Sequence, residues 1–212
     1  MHIIYSTKVD NWINDYNRRI VLREEYADFL ALMRRIIISL VLSGKEAANQ
    51  RIEKIVSYTE RNAYFECYER WLRRHRLYTV PFDRIVAVLI GTEIMIPNGE
   101  NLTGYALEYD DGFYVLVNDT EEIETTISIL THEIMHAELE SYFRQFEKDK
   151  GTEIPEAAKE ELVVILEHTF LLDALKIKAS DIQMEKVQLF QNLMQSGTES
   201  AIALFLSEAG TS

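Results

Sequence analysis

The 212-residue chain has a single cysteine, Cys67, only three prolines and only eight glycines. One cysteine excludes an internal disulfide framework and any zinc site built from cysteines. Long apolar runs are also missing. The longest, such as Ile36-Ile37-Ile38-Ser39-Leu40-Val41-Leu42, fall far short of the ~20 residues that a membrane-spanning helix needs. Met1-His2-Ile3-Ile4-Tyr5-Ser6 has no basic stretch leading into an apolar one, so no signal peptide is expected. These absences together predict a cytoplasmic protein with no membrane partner.

Positive charge is scarce in the second part of the sequence. Residues 81–212 hold 8 Lys and Arg against 25 Asp and Glu, whereas residues 1–80 hold 14 against 10, for a net charge of -13. An acidic surface of that size repels phosphates and argues against nucleic acid as a main partner. The one tight basic cluster is Arg70, Arg73, Arg74, His75 and Arg76. It fits a helix C-terminus, where cations offset the helix dipole, and otherwise a contact with an acidic partner or nucleic acid. What is plentiful is apolar: 47% of residues are hydrophobic and 27% charged, the balance of a globular chain with a true core.

The few glycines and prolines divide the chain. Residues 1–80 contain only Gly44, residues 81–118 contain Pro81, Pro97 and four glycines, and the remainder contains Pro155 with Gly151, Gly197 and Gly210. This predicts helices, then a turn-rich strand region, then helices. The expected fold class is α+β, mainly helical, with a small antiparallel sheet beside a motif-bearing helix. Three regions are expected: a helical region over 1–80, a core over 81–178 and a helical tail over 179–212. In the first region, apolar spacing predicts one helix from Asp15 to Leu42, capped at Ser43-Gly44, and a second from Glu46 to about His75. The aromatic stripe of that second helix, including Tyr64, Tyr68 and Trp71, reads as packing surface. In the middle, Arg84 to Ile90 reads as a strand, and Asp110-Asp111-Gly112 between two β-rich runs reads as a hairpin turn. Asn118-Asp119-Thr120-Glu121-Glu122 then announces a helix running to about Lys148. A further helix is expected from Glu156 to about Lys176, and two more in the tail, split at Ser196-Gly197-Thr198.

Chemistry concentrates in Thr131-His132-Glu133-Ile134-Met135-His136. Residues four apart share a helix face, so both imidazoles can reach one metal ion at the usual Zn–N distance of about 2.0–2.1 Å. Glu133 lies about 100° round the helix from His132. It need not ligate, and is placed to accept a proton from water activated by the metal. His132 and His136 are thus the expected ligands of one zinc ion per chain, and Glu133 the catalytic residue.

Together with Leu102-Thr103-Gly104-Tyr105 and the hairpin ending Val115-Leu116-Val117-Asn118, this stretch resembles the core of the zincin metallopeptidases with their His-Glu-x-x-His motif. Within them it resembles the ImmA/IrrE-like peptidases. The resemblance covers about residues 84–175. It implies a zinc metallopeptidase that hydrolyses peptide bonds in a protein or peptide substrate. It also implies a third ligand of the glutamate-zincin type, a glutamate on the next helix. The available residues are Glu156, Glu160, Glu161 and Glu167, with His168 as a histidine alternative. On a helical projection Glu156, Glu160, Glu167 and Lys178 form one polar stripe, whereas Glu161 and His168 lie among Val164, Ile165, Leu172 and Leu175. A carboxylate on an apolar face needs a cation, which favours Glu161 as ligand, with Glu160 next. His168 has three readings: a donor to a transition-state oxyanion, a replacement ligand, or a core histidine. The rival from another class is a non-catalytic regulatory or interaction protein on a zincin-like scaffold.

Overall fold

A computed structural model describes residues 1–19, 31, 34–35, 50–95, 101–109, 112–120, 122–175 and 181–209. The α+β class expected from the sequence holds. The described elements are β1 (His2–Tyr5), α1 (Thr7–Arg19), α2 (Gln50–Arg61), α3 (Tyr64–Arg74), β2 (Ile85–Ile90), β3 (Ile94–Met95), β4 (Asn101–Leu102), β5 (Gly104–Tyr109), β6 (Gly112–Asn118), α4 (Ile123–Lys150), α5 (Glu156–Phe170), α6 (Asp181–Met194) and α7 (Thr198–Ala209). A single 3-10 turn, Phe82–Arg84, precedes β2, and a π-helical turn, Leu171–Leu175, extends α5. Among the described residues no helix is long and apolar enough to cross a membrane.

The chain forms two compact units, one of 1–58 with 80–134, the other of 59–79 with 135–212. In the first, a four-stranded sheet has the order β1-β2-β6-β5. The expected hairpin is present, with β5 antiparallel to β6 and Tyr109 opposite Gly112. The smaller pair β3 and β4 is also antiparallel. The sheet gains two parallel pairings that the sequence reading did not include, β1 with β2 and β2 with β6. β2 is apolar throughout and buried at five of its six positions, as befits a strand paired on both sides. One face carries Ile4, Val88, Ile90, Leu107 and Leu116 against Val9 and Ile13 of α1, with Trp12 and Tyr16 partly buried beside them.

The N-terminal region departs from two long helices. Helix α1 begins at Thr7, directly after a strand. The expected helix 15–42 and its Ser43-Gly44 cap lie largely outside the described residues. The helix expected from Glu46 to His75 is two helices, because Ala63 adopts a left-handed conformation, φ 45°. An L-residue there costs roughly 1–2 kcal/mol, and no glycine or proline marks the break. The basic cluster does close a helix: Arg73 and Arg74 sit in the last turn of α3, with His75 at its cap.

In the second unit the aromatic stripe of α3 is core, as expected. Tyr68 and Leu72 are fully buried, and Tyr64 and Trp71 nearly so. Their rings gather round Phe170 of α5, with centroids 5.7 Å (Tyr64), 4.7 Å (Tyr68) and 5.8 Å (Trp71) away. Asp173 in the π-helical turn accepts from Gln191 of α6 at 2.9 Å and from the Trp71 indole at 3.4 Å. Phe190 of α6 meets Phe205 of α7 edge to face. The tail thus forms two helices separated at Ser196-Gly197, as read from the sequence.

Candidate metal centre

Helix α4 is launched from the end of the sheet. The Asp119 amide donates to Ile90 O at the end of β2, 2.7 Å away. The Asp119 carboxylate accepts from Arg51 of α2 at 2.8 Å and from the Thr126 hydroxyl at 3.2 Å. Arg51 also donates to Thr120 O, and the Thr120 amide donates to Thr126 Oγ1 at 3.0 Å. The polar segment read as a helix start therefore fixes where the motif begins relative to the strands.

Along its motif stretch, α4 is buried except for one stripe. Leu130, Thr131, Glu133, Ile134, Met135, Ala137, Glu138 and Leu139 are buried, whereas His132, His136 and Glu140 keep partial exposure. Residues at i, i+4 and i+8 share a face, so the two imidazoles border the open side of an otherwise embedded helix. Such a helix supplies a rigid base for paired ligands.

The next helix returns along α4 through a pinned turn. Gly151 takes φ +68° and donates to Glu147 O at 2.8 Å, a left-handed residue closing the helix end. Glu147 accepts from the Ile154 amide and from Lys159 Nζ, each at 3.1 Å. The Ile154 N–H, and with it Lys159, holds the Glu147 carboxyl below its usual range. The Lys159 ammonium also stands 5.7 Å from the centre of the Phe143 ring. One residue on, Glu160 Oε1 lies 3.2 Å from His136 Nε2.

His132, His136 and Glu160 therefore converge. One ligand atom from each lies within 4.8 Å of the other two, and the group could hold a metal ion. Two imidazoles and one carboxylate make the donor set of a three-ligand site with a position left open. Glu133, 8% exposed, is buried against the start of β5.

The structure brings Glu160 to the histidines, and not Glu161, the glutamate favoured from helical angles. Glu161 turns to α6 and forms an ion pair with Lys186, both side chains substantially exposed. The helical projection correctly grouped Glu160 with Glu167, but this polar stripe is not solvated along its length. Glu167 is only 6% exposed, and its charge, with that of Glu138, acts on the fully buried Tyr68 hydroxyl. Burial first, and then Glu138, push that hydroxyl well above its usual range. Lys178, expected on the same stripe, lies outside the described residues. The cation that Glu161 required is a lysine from a helix whose position the α5 sequence does not reveal.

His168 lies outside the converging group. Its Nδ1 is 2.8 Å from Val164 O one turn earlier on its own helix, and it is half-buried. Sequence reasoning also passed over Glu138, which is fully buried and accepts from both the amide and the hydroxyl of Thr79. Thr79 Oγ1 donates further to Glu138 O at 2.9 Å, so this glutamate tethers the segment after α3 to α4 two residues past His136. Comparisons of the chain with protein-family models, with curated proteins and with solved structures found no match.

Proposed function

We propose that the chain is a zinc-dependent metallopeptidase of the zincin type, with His132, His136 and Glu160 as zinc ligands and Glu133 as general base. The observation that carries this reading is the convergence of the three ligand atoms, one turn and one hairpin apart in the sequence. Its geometry suits zinc: ligands about 2.0–2.1 Å from the ion at the tetrahedral angle stand roughly 3.3 Å apart, and His136 Nε2 and Glu160 Oε1 are 3.2 Å apart.

Bound there, zinc would supply Lewis acidity, polarising a carbonyl and bringing the ionisation of water near neutral pH. The protein's own part is positional. His132 and His136 fix the reacting centre on a buried helix, and Glu160 contributes one negative charge. Glu133 neighbours His132 along the chain yet is absent from the converging ligand group, which leaves its carboxylate for proton transfer. It takes the proton of the attacking water and passes it to the departing amine. Among the described residues strand β5 ends the strand order of the sheet, and an extended peptide could align beside it. A cytoplasmic setting belongs to the same reading.

Metal analysis with a proteolysis assay tests the proposal. The purified full chain should carry about one zinc, lose it on His132→Ala, and cleave fluorescein-labelled casein only in the loaded form. A chain that binds no zinc, or is equally stable in chelator, would instead support a non-catalytic interaction protein.

A further inference from the structure

We propose that Gly104, the first residue of β5, is a positioning residue for Glu133, its missing side chain being the space in which that carboxylate rests. A Cβ built on Gly104 would stand 2.5 Å from Glu133 Oε1, 2.6 Å from Cγ and 2.8 Å from Cδ. All three distances are below any normal non-bonded contact. The overlap includes the middle of the side chain as well as its tip, so rotating the carboxylate alone does not relieve it. Glu133 is 8% exposed, with little solvent to swing into.

Backbone conformation does not account for the glycine. The left-handed glycines among the described residues are Gly151 and Gly197, whereas Gly104 is a strand residue paired in register with Val117. Glycine inside a strand is otherwise unfavourable, since it loses the most entropy on folding and packs nothing. Space for Glu133 is what remains. Strand β5 then acts as a wall that holds the carboxylate on one side, while α4 supplies its backbone. Glu133, Gly104 and His132 all belong to the same compact unit, so strand and base are held in one frame.

The catalytic consequence rests on the metallopeptidase reading; the spatial claim does not. The test is a thermal double-mutant cycle on the full chain, without metal, combined with zinc content and hydrolysis of labelled casein. In the Glu133 background, Gly104→Ala is expected to lower the melting temperature by about 2 °C or more, as overpacking does in a chain of this size. In the Glu133→Ala background the same change should leave it unchanged or raise it, because alanine suits a strand once the space is vacant. Equal shifts in the two backgrounds overturn the proposal, and the double variant keeps the comparison available if Gly104→Ala alone folds poorly. With zinc loaded, Gly104→Ala should retain about one ion per chain and lower kcat at least tenfold with little change in KM. Undiminished kcat would overturn the positioning role. If the unaltered, zinc-loaded chain cleaves nothing, the metallopeptidase reading fails, and the thermal cycle still decides whether Gly104 makes room for Glu133.

Discussion

His136 Nε2 and Glu160 Oε1 stand 3.2 Å apart, close enough to share a hydrogen without a metal and at nearly the spacing that two ligands of one ion require. That pair decides which acidic side chain on α5 matters. Glu160→Ala removes a negative charge beside the proposed dication, whereas Glu161→Ala only breaks an exposed ion pair with Lys186, worth roughly 0–1 kcal/mol. Zinc affinity should therefore fall by more than the ~10–100-fold typical of losing a mere supporting contact in Glu160→Ala, and by less than threefold in Glu161→Ala or His168→Ala. Competition titration with a chromophoric chelator measures all three. Glu161→Ala emptying the site would return the ligand role to that residue.

Glu133→Gln separates binding from chemistry. The amide nearly preserves the shape but cannot accept a proton. Zinc content and melting temperature should match the parent chain, and casein hydrolysis should fall by at least the ~10²–10⁴-fold expected when a general base is lost. A variant that lost its zinc would make Glu133 a ligand.

Much of this site was legible because it is local. The spacing of His132 and His136 follows from one helical turn, and Asp110-Asp111-Gly112 announced a hairpin whose strands pair as expected. What the sequence did not yield is non-local. His2–Tyr5 is a four-residue strand, too short for a periodic pattern, and its parallel partner β2 lies about eighty residues away. The break at Ala63, an alanine in the left-handed region, has no glycine or proline to announce it. Helical angles showed that Glu160 and Glu161 point in different directions, but not which direction faces α4. That choice depends on the turn pinned by Glu147, Ile154 and Lys159 and on Lys186 of a later helix.

Phe170 should dominate the stability of the second unit. It is fully buried, with three aromatic rings around it. Phe170→Ala removes the buried ring and leaves a cavity that these rigid neighbours cannot readily close, so a loss of about 3–5 kcal/mol is expected. Trp71 is one of only two tryptophans and lies 5.8 Å from Phe170. With Trp12→Phe as background, urea unfolding followed by Trp71 fluorescence reports on this unit. A loss below about 1 kcal/mol would mean that the ring cluster does not hold it together.

His75 should make the same unit sensitive to mild acid. It caps α3, packs tilted against Trp71 at 4.6 Å between ring centroids, and has Nδ1 3.4 Å from Thr198 Oγ1. Its Nε2 is buried with no hydrogen-bond partner among the described residues. Burial first, and then the Arg74 charge, lower its pKa below the ordinary 6.5, against a smaller opposing pull from Asp173. The fold therefore favours the neutral imidazole. Above the unfolded pKa both states are neutral and the contribution to stability is complete. As pH falls below about 6.5 the unfolded chain takes up a proton that the folded chain resists, so stability declines until the folded pKa is passed. His75→Asn cannot titrate. The difference in urea midpoint between parent and variant, read through Trp71, should thus shift against the parent between pH 7.5 and pH 5.5. Groups common to the two proteins cancel in that difference. A difference independent of pH would show that His75 is protonated as readily in the folded chain as in the unfolded one.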